Sequence, residues 1–413
     1  FKYLNKHNYL KIFDDNKITS SKKINKNFFI KKNEINLFKF DFIVLSPGID
    51  VKKCGLKKYL RKNREKIITD LDIFYLNNPK NIKITITGTN GKSTTSKLLH
   101  EVLKKHNIDA RLTGNIGHSV LLEKNIHSNT IFVIEASSYQ IQYSKYFVTD
   151  FAVILNISPD HLERHGTIKN YINAKFKLIK KQKSGTFAFI QKNNKYLNKL
   201  AKNSKINSKI IKVSNRISKK VKKLIFNQYF YNTNNLNNLA FVLAIAKIIK
   251  LKEKKIIEAI NFYKGLKYRQ QIIFNNKKLL IINDSKSTSF SSSANLLQSY
   301  KNIFWLVGGI YKMGDKFNLE KKNYKYIKAY IFGKNKKIFR KQLNNKVSLE
   351  ISNNIKESLE KIIKDSNNNK NQQVVIFSPS GASFDQFKNF EDRGKYFNNL
   401  IKKINFIKRI NDR

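Results

Sequence analysis

A chain of 413 residues, 41% of them hydrophobic, is too long for one compact core and apolar enough for buried sheets in two or three domains, which excludes a disordered chain. The net charge of +54 would ordinarily point to nucleic acid, but the excess is mostly lysine, spread over the whole length among Asn, Ile, Phe and Tyr, as on a solvated surface. A single cysteine, Cys54, excludes an intramolecular disulfide and a thiolate metal cage. With no apolar run of membrane-spanning length and no opening signal sequence, a soluble cytoplasmic protein without nucleic-acid or membrane partners is expected.

In chain order, "FKYLNKHN" at 1–8 reads as the end of a helix, "YLKIFDDN" at 9–16 as a strand, and "FDFIVLSPGI" at 40–49 as a further strand and turn. Buried strands are then predicted at 82–87 ("IKITIT"), 131–136 ("IFVIEA"), 150–158 ("DFAVILNIS") and 279–284 ("LLIIND"). Three more follow at 303–309 ("IFWLVGG"), 328–333 ("KAYIFG") and 373–379 ("QVVIFSP"). Short continuous apolar runs separated by helix-length amphipathic segments are the pattern of parallel α/β sheets, whose functional residues lie on the loops after the strands. The Lys- and Asn-rich stretch 193–223 and the polar loop "DSNNNKNQQ" at 365–373 read as surface. Boundaries near "NNPK" at 77–80 and near "YKGLKYRQQ" divide the chain into domains 1–72, 73–265 and 266–413.

The strand at 82–87 runs into Gly88-Thr89-Asn90-Gly91-Lys92-Ser93-Thr94 and then an amphipathic helix. A phosphate loop needs converging backbone N–H groups, a helix N-terminus, a lysine on the β/γ oxygens and a hydroxyl for Mg²⁺, and all are present. Ile86 stands where the commonest form of the motif has its first glycine.

The octet "TGTNGKST" at 87–94 resembles the phosphate loop of the Mur ligase family, ATP-dependent amide-forming enzymes of peptidoglycan precursor synthesis in which a non-glycine first position is ordinary. "GNIG" at 114–117, "EASSYQ" at 135–140, "NISPDHLERHG" at 156–166, "YINAK" at 171–175, Asn235 and "GLKYRQ" at 265–270 follow in the family's order. "NDSKST" at 283–288, "GGIYKMGD" at 308–315 and "SPSGASFDQFKNFEDRG" at 378–394 resemble the branch that adds D-glutamate to UDP-N-acetylmuramoyl-L-alanine. The resemblance implies three α/β domains, Rossmann-like, P-loop ATPase-like and Rossmann-like, that open and close around ATP, in a monomer.

It also implies site roles. Lys92, with Gly88, Thr89, Asn90, Gly91, Ser93 and Thr94, would hold ATP. Ser93 and Glu135 would bind one Mg²⁺, and His161 with Lys175, carbamylated by CO₂, a second; a neutral lysine amine can take up CO₂ and the carbamate is a hard anionic ligand. His165 has no such support and reads as structural. Asn115, Ser137 and Gln140 would face the muramoyl-alanine substrate, and Asp14 or Asp15 the uridine. Asn235, Arg269 and Asp284 would contact the nucleotide; Lys286, Thr288, Lys312, Ser383 and Phe390 would hold D-glutamate. Phe384, Phe387 and Phe390 also have the spacing of a packed helical stripe.

Departures from the family pattern are Lys267-Tyr268 where Pro-His usually precedes the arginine, Ser289 where Asn usually follows the threonine, and an opening without the family's first strand and glycine turn. The last predicts weak binding of the UDP substrate with the ATP and D-glutamate sites intact. Alternatives are another Mur-type ligase, such as a folylpolyglutamate-synthase-like enzyme; a P-loop ATPase binding nucleic acid, motivated by the charge; and an inactive binding remnant, against which the retained Lys92, Glu135, His161 and Lys175 speak.

Overall fold

A computed structural model describes residues 3–4, 8–14, 25–231, 233–366 and 371–411. It divides into two compact units, one of Phe1–Ser218 with Asn238–Ala259, the other of Lys219–Asn237 with Ile260–Arg413.

The first unit carries a small parallel pair, β1 (Ile43–Val44) on β2 (Ile67–Ile68), over a cluster of Leu45, Leu60 and Ile67. Its main sheet has six parallel strands: β3 (Ile82–Thr87), β4 (Ala110–Gly114), β5 (Ile131–Glu135), β6 (Phe151–Ile154), β7 (Phe187–Gln191) and β8 (Lys209–Val213). Their spatial order is β4-β5-β3-β6-β7-β8. Central β3 and β5 are buried nearly throughout because helices cover both faces of a parallel sheet. One face buries Phe132, Ile134, Ala152 and Ile154 against Tyr171, Ile172, Phe176 and Ile179 of helix Ile168–Lys180.

The second unit has β9 (Gln271–Asn275), β10 (Leu279–Asn283), β11 (Ile303–Gly308), β12 (Ile327–Phe332), β13 (Ser348–Ile351) and β14 (Gln373–Phe377) in the order β13-β12-β11-β14-β10-β9. All neighbours are parallel except β9 on β10, which form a hairpin. Separate apolar clusters, one around Trp305, Phe290 and Phe317, the other around Phe377, Phe397 and Leu359, include side chains from both faces of the strands.

All seven buried strands predicted from 82 onward form. Three expectations are corrected. Over the described residues 9–14 the expected strand does not form: Ile12 makes one isolated bridge to Phe29, a single pair with no ladder to extend it. Residues 1–2, 5–7 and 15–24 lie outside the described residues, Asp15 and most of the expected helix end among them. The stretch 193–223 is not featureless surface, since helix Lys195–Asn203 buries Leu197 and β8 completes the sheet edge. Nor do Phe384, Phe387 and Phe390 share a helix: the helix starts at Phe390, where Asn389 accepts a hydrogen bond from the Asp392 N–H at 2.8 Å and caps it.

Candidate active site

Parallel strands end on one edge, and in the order β4-β5-β3-β6 that edge gathers the loops carrying Asn115, Glu135, the phosphate loop and Asn156. Glu135 lies opposite both Ile86 and Gly114 in the ladder.

The loop between β3 and helix Lys92–Lys105 is braced from the segment after β6. Asn156 accepts from the Asn90 N–H at 2.8 Å and donates to Asn90 O at 2.9 Å, while Thr89 N–H donates to Asn156 O at 3.0 Å. Thr89 Oγ1 accepts from the Ser158 N–H at 3.0 Å and lies 3.1 Å from the Tyr171 hydroxyl. Lys92 Nζ donates to Gly88 O and Thr89 O, each at 2.9 Å, and Ser93 and Thr94 are buried in the first helical turn. Gly91 caps the helix in the left-handed region at φ 85°, where a Cβ would overlap the carboxamide of buried Asn238. Asn238 is a neighbour that the sequence reading passed over. Gly91→Ala is expected to weaken ATP binding at least tenfold, because left-handed backbone alone costs a residue with Cβ about 1–2 kcal/mol; titration of a fluorescent ATP analogue checks it.

Lys175 is one of the most buried side chains of the molecule, on helix Ile168–Lys180. Its Nζ donates to Thr87 Oγ1 at 3.2 Å and to Gly88 O at 3.0 Å, and lies 4.8 Å from the Tyr171 ring centroid. Burial first, then repulsion from Lys92, holds its pKa well below the ordinary lysine value, with Asp160 and Glu135 opposing. The buried Glu135 takes one hydrogen bond on Oε1, from Asn115 Nδ2 at 3.4 Å, and none on its buried Oε2.

A buried carboxylate oxygen without a donor, on an edge shared with Ser93, fits a hard divalent cation. Among the described residues no three His, Cys, Asp or Glu side chains are grouped to hold a metal ion, so a hydroxyl, water and ligand oxygens would have to complete a shell around Glu135. His161 is in the left-handed region at φ 53°, with its ring nitrogens 3.4 Å from Asp160 and 3.5 Å from Glu163. Its ring packs edge-on against Tyr139, which stacks on His165. His165 is buried: its Nε2 lies 3.0 Å from Ser138 Oγ, and burial, then His161, pushes its pKa down to about 4. The next side chain back, Arg164, lies over the Tyr139 and Tyr143 rings and donates to Gly48 O at 3.2 Å and to Ile49 O. The segment bearing His161 is thereby tied to the "SPGI" turn after β1.

Ser137 and Gln140 form a capping box: Ser137 Oγ accepts from the Gln140 N–H at 3.2 Å, and Gln140 Oε1 from the Ser137 N–H at 3.1 Å. Gln140 Nε2 donates to Asp70 Oδ2 at 3.3 Å, so both residues have local partners whatever else they contact. Asn115 is anchored by its N–H donating to Glu135 O at 2.9 Å. Asp14 lies on the short described segment 8–14, and Asp15 outside the described residues.

In the second unit Asp284 follows β10 and is buried. Its carboxylate accepts from the Gln270 N–H at 3.1 Å and from Ser378 Oγ at 2.9 Å, and burial pushes its pKa up to about 7 against the pull of Arg269 and Arg393. Phe390 carries two cations, Lys286 Nζ at 4.1 Å and the Arg269 guanidinium at 5.8 Å from its ring centroid. Thr288 and Lys312 are exposed on loops leaving the same sheet edge, and Ser383 is buried in the loop after β14. Asn235 Nδ2 donates to Tyr229 O at 2.8 Å and to Gln270 Oε1 at 3.4 Å.

Arg393 was visible in "FEDRG" and assigned nothing. It is buried, donating to Ser285 Oγ at 3.1 Å, Ser285 O at 2.8 Å and Gly381 O at 2.9 Å, which pins the loop after β10 to the loop after β14.

Residues 86–257 match the Mur ligase middle domain. UDP-N-acetylmuramoylalanine–D-glutamate ligase of Rickettsia felis is 35% identical over 384 residues, 88% of this chain and 84% of its own. The proteins of the same name from a Wolbachia of Brugia malayi and from Francisella tularensis strain SCHU S4 are 30% and 32% identical, over 91% and 89% of this chain and 87% of each of theirs. Among solved structures, a MurF ligase from Thermotoga maritima in complex with ADP superposes with a TM-score of 0.59 at 16% identity, covering 84% of this chain and 92% of that one. A pseudomurein peptide ligase type C from Methanothermus fervidus gives 0.55 at 18%, covering 88% and 87%. Both share the fold. Identity of 30–35% sustained over so much of the chain places it in the Mur ligase family, on the branch of these D-glutamate ligases.

Proposed function

We propose that the protein joins D-glutamate to UDP-N-acetylmuramoyl-L-alanine at the expense of ATP, an ADP-forming ligation in peptidoglycan precursor synthesis. The observation that carries this reading is Lys175, a buried lysine with a lowered pKa set against the phosphate loop: an ordinary phosphate-loop hydrolase has no need of it, whereas an enzyme that must bring a carboxylate up to a triphosphate does.

In the proposed reaction the substrate carboxylate attacks the γ-phosphorus, an O–P bond forms, and the bond to ADP breaks. The D-glutamate amine then attacks the acyl carbon; a C–N bond forms, phosphate leaves with the electron pair, and the amine loses a proton. Lys92 and the N–H groups of residues 88–94 hold phosphate oxygens. Ser93 and Glu135 would hold one Mg²⁺, and His161 with carbamylated Lys175 a second, supplying charge neutralisation between two mutually repelling anions. Asn115, Ser137, Gln140 and Asp14 or Asp15 serve the UDP substrate. Asn235, Arg269 and Asp284 serve the nucleotide; Lys286, Thr288, Lys312, Ser383 and Phe390 serve D-glutamate. Domains 1–72, 73–265 and 266–413 divide these tasks in a cytoplasmic monomer that needs no nucleic acid or membrane. Among the described residues no helix is long and apolar enough to cross one.

The test is phosphate release from ATP in the presence of UDP-N-acetylmuramoyl-L-alanine, scanned over D-glutamate, L-glutamate, L-lysine and diaminopimelate. Release is expected with D-glutamate alone. Turnover indifferent to the amino acid, or stimulated by DNA or RNA, would overturn the reading.

A further inference from the structure

Between the loops after β10 and β14 lies a knot of buried hydroxyls. Ser293 belongs to the first turn of helix Phe290–Gln298, and its Oγ lies 2.6 Å from Ser287 Oγ, 2.6 Å from Ser380 Oγ and 2.7 Å from Ser378 Oγ. All four residues are buried. The knot continues in two directions: Ser378 Oγ donates to Asp284 at 2.9 Å, and Ser287 Oγ lies 2.8 Å from Ser292 Oγ.

Hydroxyl arithmetic orders it, since each serine has one O–H and two lone pairs. With Asp284 charged, the Ser378 O–H points at the carboxylate. The 2.7 Å contact is then filled by Ser293 donating to Ser378, so Ser293 accepts from Ser287 and Ser380. The bonds among Ser287, Ser380, Ser293 and Ser378 thus run toward the carboxylate, and Ser293 is the hydroxyl on which they converge. A space this dry is more cheaply filled with apolar side chains, because each buried hydroxyl is costly unless paired.

We infer that Ser293 is a positioning residue, which holds the Lys286–Thr288 side of the amino-acid site in register with the Ser383 side by knotting Ser287 to Ser378 and Ser380. The inference rests on the reading of these loops as the D-glutamate cradle. Arg393 joins the same loops at Ser285 and Gly381, so losing Ser293 loosens the cradle without unfolding it.

Thr and Val share one shape and differ in the hydroxyl, so Ser293→Thr against Ser293→Val isolates the hydrogen bonds from packing. In steady-state ligation the Val variant is expected to raise KM for D-glutamate about tenfold over the Thr variant, the equivalent of one buried hydrogen bond, with KM for UDP-N-acetylmuramoyl-L-alanine unchanged. A role in stability alone would lower kcat through the active fraction and leave both KM values in place, which would overturn the inference, as would equal D-glutamate KM in the two variants. Lack of D-glutamate dependence in the unmutated protein would overturn the ligase reading and this inference with it. Should the Val variant fail to fold, Ser287→Ala, which removes one donor to Ser293, is measured in its place, and an unchanged D-glutamate KM there counts equally against the proposal.

Discussion

Lys175→Met is expected to lower ligation by about 10²- to 10³-fold while leaving the protein folded, the size of effect seen when one preorganised electrostatic group is removed from a reacting centre. Met keeps most of the buried stem, so the packing against Tyr171 survives and what is lost is the nitrogen. Burial beside Lys92 lowers the pKa of this lysine and so favours its neutral amine, the form that can attack CO₂: an N–C bond forms, one proton is released, and the side chain becomes an anion next to a cation that repelled its protonated form. Carbon NMR of protein equilibrated with ¹³C-labelled CO₂ is expected to show one carbamate signal that Lys175→Met lacks. The unmodified amine also sets the sign of the stability effect. Its folded pKa is depressed, so between that pKa and the unfolded value of 10.5 the unfolded state binds more protons and stability rises with pH. Met removes this penalty near neutrality, and the variant's Tm at pH 7 is expected to equal or exceed that of the unmutated protein; full activity in the variant would refute the role.

Asp284→Asn should separate function from stability in the opposite sense to most substitutions. The carboxyl has a folded pKa raised to about 7 by burial, from an ordinary value of 3.8. Between these values the folded state holds a proton that the unfolded state has lost, so its contribution is fully present below pH 3.8 and is lost as pH rises to 7. Keeping the charge buried above pH 7 then costs on the order of 4 kcal/mol. Asn occupies the same volume, can accept from the Gln270 N–H and carries no charge. Its Tm is expected to exceed that of the unmutated protein at pH 8 and to match it near pH 4, by calorimetry at the two pH values, while ligation falls by about two orders of magnitude. A lower Tm at pH 8 would mean that Arg269, Arg393 and Ser378 already satisfy the charge.

The parts of the fold that could be read from the letters were those whose environment is uniform. Strands β5, β10, β11, β12 and β14 are covered on both faces, so their residues form largely apolar runs. Interior strand β7, "FAFIQ", escaped, and so did the sheet edges. β4, with Arg111 and Thr113, β8, "KIIKV", and β13, "SLEI", each have one neighbour and partial exposure, and their mixed composition looks like loop. The stripe of Phe384, Phe387 and Phe390 misled for a local reason: its spacing is helical, but the Asn389 cap starts the helix at its last member and leaves Phe384 on the surface.

Among site residues, the phosphate loop was legible because glycine, lysine and hydroxyl must stand in fixed succession between a strand and a helix. Ser137 and Gln140 were legible as a pair, yet spacing alone did not reveal that they cap each other. Asn156, Asn238, Arg393 and Ser293 carried no local signal, since each acts on a segment that is distant in sequence.

By itself the sequence determined the parallel α/β plan, the phosphate loop and the succession of motifs, all of which depend on residues within a few positions of one another. Only the tertiary structure decided that Lys175 is buried with a lowered pKa, that Asp284 has a raised one, that Glu135 keeps an oxygen without a donor, and that four serines share one knot. Desolvation and hydrogen-bond pairing depend on what distant segments place over a group, and no short stretch of chain contains that information.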